Sequence, residues 1–346
     1  MTWQRHHEWA VGLAERGWQV QFVETTGKRI PPPLEILNRW GRKTGVERPI
    51  PEGITVHKRQ IIPPAWGWMR QVNRSEIKRF ANEINLQAGG VVDAVVVHLP
   101  TWTSLDLMRE ISPKKTLYDS ASLFKELKGT IPTLDEAEKE ICRTVEKVWA
   151  DGPFLAKHCK KQGAKKVSVV GPGVHFRRWC GMEQGRTPIK TVGYFGMVRR
   201  EDLNLSVLRG LPKHGIGVRV VGPDPEGLLR GSDVRWEPPV SPKDLPRALA
   251  GVDALILPYK GTRFTDGIVP AKTMECLASG LPVFVTGLSS LIDNPAFIPI
   301  EGGVRKVANA IKGHNESDKK RASRWEIAKE NDWSQKVNLL EAALST

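Results

Sequence analysis

The sequence predicts an α/β protein made of two doubly wound parallel-sheet domains facing a cleft, and three observations lead there. Short β-branched runs alternate with helical segments along the whole chain, the pattern of strands joined by crossover helices. A length of 346 residues suits two domains of about 150–180 residues each. Near the end, the stretch from Pro270 to Val283 reads as loop, helix, sharp stop and strand in immediate succession.

Taken in order, the first half offers strands at 19–24, 54–58, 94–98, 116–119, 147–150 and 167–170. The second half offers them at 191–195, 218–221, 233–236, 254–257 and 283–286. Helical spacing fills the intervals at 4–16, 76–87, 134–144, 153–162, 203–209, 242–249, 304–311 and 319–329. The polar, Gly-containing stretch 177–190 separates two strand runs, which places an N-terminal domain at 1–180 and a C-terminal domain at 181–346. The final helix is free to cross back to the first domain. Pro31 to Pro33 and Pro63-Pro64 mark irregular loops. A doubly wound domain opens with a strand, yet helix 4–16 comes almost at once, so the first domain is expected to lack its first strand.

Composition narrows the function classes. The chain is 40% hydrophobic and 26% charged, an ordinary globular balance. No apolar run approaches the roughly 18 residues needed to span a bilayer, and the start has no apolar signal-peptide core. Four separated cysteines without CxxC or Cys/His spacing suggest reduced thiols in a cytoplasmic protein. The net charge of +14 is concentrated: segment 28–79, from Lys28 to Arg79, holds twelve Lys/Arg against four Glu, with Trp40, Trp66 and Trp68 among them. No helix-turn-helix, zinc-finger or RNA-binding signature accompanies it, so nucleic acid is not expected. A peripheral contact with an anionic membrane surface fits the Trp/Arg mixture, and a plain solvated basic face fits equally.

The chemistry-bearing residues gather at strand ends. Pro270 suits a first helical position, Met274, Leu277 and Ala278 give the buried face, and Gly280 with Pro282 stops the helix. Lys272 and Glu275 share a face near the helix start, where a cation and a carboxylate could grip a phosphate and a sugar hydroxyl; a solvated ion pair is the plainer alternative. Gly196 ends the strand at 191–195, with Arg199 beyond it as a phosphate clamp. Tyr259 follows the strand at 254–257 and could pack on a base. In the first half, His6 precedes a helix, and Asp119 ends a strand, either as a general base or as a helix cap. His98 reads as a rim histidine. D-x-D, the P-loop, G-x-S-x-G and a metal triad are all missing, so neither a metal nor another cofactor is expected.

Together these residues resemble the GT-B glycosyltransferases, specifically glycosyltransferase family 4 with its teichuronic-acid and spore-coat-like relatives. The landmarks are Arg5-His6-His7, Tyr118-Asp119-Ser120, Gly173-Val174-His175-Phe176, Gly193-Tyr-Phe-Gly196, Val221-Gly222-Pro223, the P-x-K-x-x-E-x-x-A-x-G-x-P-V pattern from Pro270, and Asn331-Asp332-Trp333. The resemblance implies two Rossmann-like domains and transfer of a sugar from a nucleotide-diphosphate sugar to a hydroxyl acceptor on a glycan or lipid-linked precursor, with retention of configuration and no metal. It further implies that Glu275 holds the ribose hydroxyls, that Lys272 and Arg199 contact the diphosphate, and that the acceptor comes near Asp119 and His6. The commoner E-x7-E pattern is broken here, because Gly267 stands eight residues before Glu275; neighbouring Asp266 is the substitute. A GT-B epimerase and a non-catalytic GT-B partner subunit remain as alternatives.

Overall fold

A computed structural model of the protein describes residues 4–24, 50–58, 61, 67–127, 129–182 and 187–345. Most of the basic segment, including Trp40, Arg59 and Trp66, and the loops at Pro31 and Pro63 lie outside the described residues. The chain divides into two compact units, one of residues 1–171 with 334–346, the other of residues 172–333. The division falls before the 177–190 stretch. Val174 and Trp179 are buried in one cluster with Val192, Phe195 and Leu208, so this segment folds with the second unit's core.

In the first unit, helix α1 (Arg5–Ala14) precedes strand β1 (Val20–Val23), which pairs in parallel with β2 (Ile54–His57) as a separate two-stranded sheet. Helix α2 (Arg74–Gln87) leads to β3 (Ala94–Val97), which opens a parallel sheet in the order β3-β4-β5-β6. Its other strands are β4 (Lys115–Ser120), β5 (Lys147–Ala150) and β6 (Val167–Val169). The intervening helices are α3 (Trp102–Ile111), α4 (Leu134–Thr144) and α5 (Pro153–Gln162). Strand β4 shows the two faces of the sheet. Tyr118 is buried with Met108 and Ile141 of α3 and α4, while the next residue, Asp119, meets Trp9 of α1.

The second unit carries one six-stranded parallel sheet in the order β12-β11-β10-β7-β8-β9. Its strands are β7 (Thr191–Phe195), β8 (Gly217–Val221), β9 (Arg235–Glu237), β10 (Ala254–Pro258), β11 (Val283–Thr286) and β12 (Ile298–Pro299). Helices α6 (Leu205–Gly210), α7 (Lys272–Ala278), α8 (Val304–Lys312) and α9 (Asp318–Glu330) accompany them. All of β10 and β11 is buried, as strands covered on both faces must be. The last helix, α10 (Trp333–Ser345), packs with α1, where a Cβ on Gly12 would meet Val337, and with the turn after α1: Arg16 pairs with Glu341 at 3.1 Å, and Trp18 Nε1 donates to the same carboxylate.

Candidate functional site

Parallel strands deliver their last residues to one edge, so the chemistry of each unit collects at its own carboxyl edge. In the second unit, Lys272 opens α7 and its Nζ donates to the Phe195 carbonyl at 2.6 Å and to the Tyr194 hydroxyl at 3.0 Å. The ammonium also sits 4.3 Å from the centre of the Tyr194 ring, a cation–π contact. The Tyr194 hydroxyl donates in turn to the Met197 carbonyl at 3.0 Å.

Two glycines make this crossing of chains feasible. Gly196 has φ +113°, and a Cβ there would lie 2.4 Å from Lys272 Nζ. Gly222 has φ +148°, and its Cβ would lie 2.3 Å from the Gly196 carbonyl oxygen. Both positions therefore demand glycine for conformation and for space.

Asp202 and Tyr259 complete the cluster. Burial raises the Asp202 carboxyl above its ordinary range, against the lowering influence of Arg199, Lys260 and Lys272. Burial pushes the Tyr259 hydroxyl up to about 12, with Lys272 opposing. Arg199 itself is exposed.

Three expectations change here. Tyr259 is only 8% exposed and belongs to the core, so it lies beneath the site and cannot stack on a base. Pro270 is not the first helical residue: Ala271 is the cap, and the Pro270 carbonyl accepts from Thr273 N at 2.8 Å. Helix α7 runs for seven residues, so the weight of anion recognition rests on the Lys272 ammonium rather than on a long helix dipole. Glu275 is half-buried on the next turn of α7. Asp266 closes the short helix Arg263–Asp266, whose start is fixed by a Thr262/Thr265 capping box. Gly280, at φ +76°, does terminate α7 in the left-handed conformation.

In the first unit, Asp119 is completely buried among three side-chain partners. Arg5 pairs with it at 2.7 Å, Trp9 Nε1 donates to it at 3.0 Å, and His98 Nδ1 lies 3.2 Å away. Burial alone would raise this carboxyl, but Arg5 and the His98 and Trp9 hydrogen bonds outweigh it and hold the group at about 2. Arg5 also reaches Asp151 at 2.6 Å and donates to the Val170 carbonyl at 2.8 Å, tying the ends of β4, β5 and β6 together. An ionised carboxylate with those partners is a poor proton acceptor at neutral pH. Its geometry instead orients His98, whose ring stands 5.4 Å from that of His6. His6, His98 and Asp119 thus come to one place, and His98, expected only as a rim residue, stands between the other two.

Lys336 of α10, 8% exposed, adjoins the same network. Burial and the Arg5 charge pull its ammonium down to about 8, against Asp151 and Asp119.

Among the described residues, Asp135, Glu138 and His158 form a cluster with metal-ligand chemistry that linear spacing did not reveal. Its members already satisfy one another. Glu138 accepts from Tyr118 Oη at 2.7 Å and pairs with His158 at 2.9 Å, and Asp135 pairs with Lys125.

No family model matches the chain. A Bacillus subtilis (strain 168) protein, TuaH, provisionally assigned as a teichuronic acid biosynthesis glycosyltransferase, is 26% identical over 227 residues, 58% of this chain. The match spans 57% of that relative's own length. Among solved structures, the Thermosynechococcus elongatus sucrose-phosphate synthase aligns with TM-score 0.65 and 14% identity, over 98% of this chain and 91% of that one. Anabaena HepE in complex with UDP and glucose aligns with TM-score 0.61 and 12% identity, over 95% and 99%. The lipopolysaccharide outer core galactosyltransferase WaaB aligns with TM-score 0.62 and 13% identity, over 85% of both chains. The chain has the GT-B fold. What these proteins share with it at such identities is architecture, so the chemistry has to be argued from the residues.

Proposed function

We propose that the protein is a glycosyltransferase that moves a sugar from a nucleotide-diphosphate sugar to a hydroxyl acceptor, without a metal and with retention of configuration. The observation that carries this reading is Lys272. Its ammonium is held by the Phe195 carbonyl and the Tyr194 hydroxyl, and the missing Cβ of Gly196 makes the space that it occupies. An ammonium fixed in this way meets a diphosphate oxygen with little loss of side-chain freedom. The TuaH match and the UDP bound by HepE point in the same direction.

In this reading the diphosphate lies against Lys272 and Arg199, Glu275 takes the ribose hydroxyls, and Asp266 reaches the sugar. Charge growing on the departing diphosphate is met by the two cations, which is why the reaction needs no metal. On the acceptor side, His98 receives the hydroxyl proton, held by Asp119, with His6 beside it. The acceptor is a cell-surface polysaccharide or lipid-linked glycan precursor, reached from the cytoplasmic face of a membrane. Among the described residues, no helix is long and apolar enough to cross a membrane. Support for surface binding comes from Trp68 and Lys58, both strongly exposed. Arg70 is otherwise occupied, with both carboxylate oxygens of Asp106 and the Trp102 ring as partners.

The test is transfer of labelled sugar from UDP-, GDP-, ADP- and dTDP-sugars to membrane extracts, with and without EDTA. Transfer from one donor, insensitive to EDTA, is expected. Binding of a nucleotide without transfer from any donor would favour a non-catalytic GT-B subunit, the reading to which Gly267 in place of the usual acidic residue lends weight.

A further inference from the structure

The first unit contains a cavity of about 720 Å³ whose walls are the edges of two strands. Residues 19–24 of β1 and its flanks line one side, and residues 91–99 around β3 line the other. Strand β1 pairs only with β2, and β3 only with β4, among the described residues. Val20 N donates to Gly53 O and Glu24 N to His57 O, so strand alternation turns the amides of Gln21 and Val23 the other way. Likewise Lys115 N donates to Asp93 O, which turns the amides of Ala94 and Val96 away from β4. Two unpaired parallel edges therefore open on one cavity. They leave β1 half-exposed throughout, whereas the last four residues of β7 in the other unit are buried.

Helices from both layers cover the space. Trp9 and Leu13 of α1 with Leu344 of α10 contribute apolar walls, as do Phe80 of α2 and Leu107 and Ile111 of α3. The second unit shows what belongs there. Its order β9-β8-β7-β10-β11 runs in the same sense as β2-β1-cavity-β3-β4, and the position of the cavity is that of β7, the unit's first strand. The start of α1 also lies at the correct end. Arg5 is bound at the carboxyl ends of β4, β5 and β6, and the His6 ring contacts Phe22 of β1 and His98 just after β3. A chain entering α1 there has left a strand parallel to β1 and β3, and the return to β1 is then the right-handed crossover.

We infer that the cavity is a strand slot, filled by a short apolar parallel β-strand of the protein's own chain that leads into α1 from the amino-terminal side. A strand of about five residues matches the edges it must join. It unites the two sheets into one β2-β1-strand-β3-β4-β5-β6 sheet, and its end brings a loop to His6 and His98. The inference stands on fold geometry and does not depend on the proposed transferase activity.

The test is made on the protein purified from the cells that produce it, beside recombinant residues 1–346, by intact mass, terminal peptide sequencing and hydrogen exchange. The native protein is expected to carry a β-branched segment ahead of Met1, with amides in 20–24 and 94–97 protected at least about tenfold more than in recombinant 1–346. An added extension carrying a Val/Ile strand should raise protection in the same two segments, and the same extension with proline in the strand should not. A native chain that begins at Met1, equal exchange in the two proteins, or protection that appears only as concentration rises would overturn the inference. The last outcome would assign the slot to a second copy.

Discussion

Replacing Gly196 and Gly222 separately by alanine discriminates between what the two turns do. At both positions an alanine must adopt a left-handed or more strained backbone, which costs about 1–3 kcal/mol. The neighbours then differ. At Gly196 the new Cβ meets the end of the Lys272 side chain at 2.4 Å, and that flexible end can swing away. It leaves Phe195 O and Tyr194 Oη when it does, and charge-assisted hydrogen bonds of this kind contribute about 1.5–3 kcal/mol. At Gly222 the Cβ meets the Gly196 carbonyl oxygen, carbon and nitrogen, all within 3.0 Å, and backbone cannot swing. Overpacking adds about 1–3 kcal/mol there. Urea denaturation should therefore show a loss of about 2–6 kcal/mol for Gly222→Ala, from strained and crowded backbone, and of about 3–6 kcal/mol for Gly196→Ala, from strain and the lost Lys272 hydrogen bonds. Nucleoside-diphosphate affinity, read by calorimetry, should fall at least about tenfold in Gly196→Ala, since the ammonium has moved. Unchanged affinity in Gly196→Ala, or unchanged stability in either variant, would refute the reasoning.

Further predictions concern the first unit and the thiols. Asp119 is held at about 2 against an unfolded value near 3.8, so its contribution is complete above about pH 4 and is lost as pH falls toward 2. The loss is about 2 kcal/mol in the wild type, and acid titration of Asp119→Asn should lack it. That variant should also be less stable at pH 7 by about 2 kcal/mol, because Arg5 loses one of its two carboxylate partners and keeps Asp151. Lys336 runs in the opposite sense: its folded value of about 8 lies below the unfolded one, so the wild type gains stability as pH rises from 8 to about 10. Lys336→Met should be more stable than wild type at pH 7 by about 1–2 kcal/mol, and chemical denaturation should show that gap closing over the same pH range. Cys142, Cys159 and Cys276 are buried and only Cys180 is partly exposed, so an aromatic disulfide reagent should titrate one thiol natively and four in denaturant. Substituting Lys58 and Arg74 by Glu should weaken sedimentation with anionic liposomes by about 1 kcal/mol per residue; equal sedimentation would remove the membrane-surface proposal.

The sheets were legible because buried parallel strands are continuous apolar runs. Strands β5, β7 and β11 begin and end where the β-branched pattern does. Helix α3 was not legible: Trp102, Thr103 and Ser104 are weak helix formers, and its start is set by Thr101, whose side chain accepts from Ser104 N. Strand β12 is two residues long, too short to leave a pattern. At the site, the sequence marked Gly196 and Lys272 through turn and helix grammar, and the structure joins them. The partners that hold Lys272, Tyr194 and the Phe195 carbonyl, are 77 and 78 residues away, beyond any local signal. Asp119 was noticed for its place at a strand end. What it does depends on Arg5, Trp9 and His98, three residues that only the folded chain brings to it. The helix that comes almost at once in the sequence lines, among the described residues, a cavity between two strand edges.

The most direct measurement is calorimetric titration of the protein, Lys272→Ala and Glu275→Ala with UDP, GDP, ADP, CMP and dTDP, with circular dichroism to confirm that each variant folds. One diphosphate should bind the wild type, and both folded variants should lose that binding by about tenfold or more. Failure of every nucleotide to bind the wild type, or undiminished binding to Lys272→Ala, would contradict the account of the donor site.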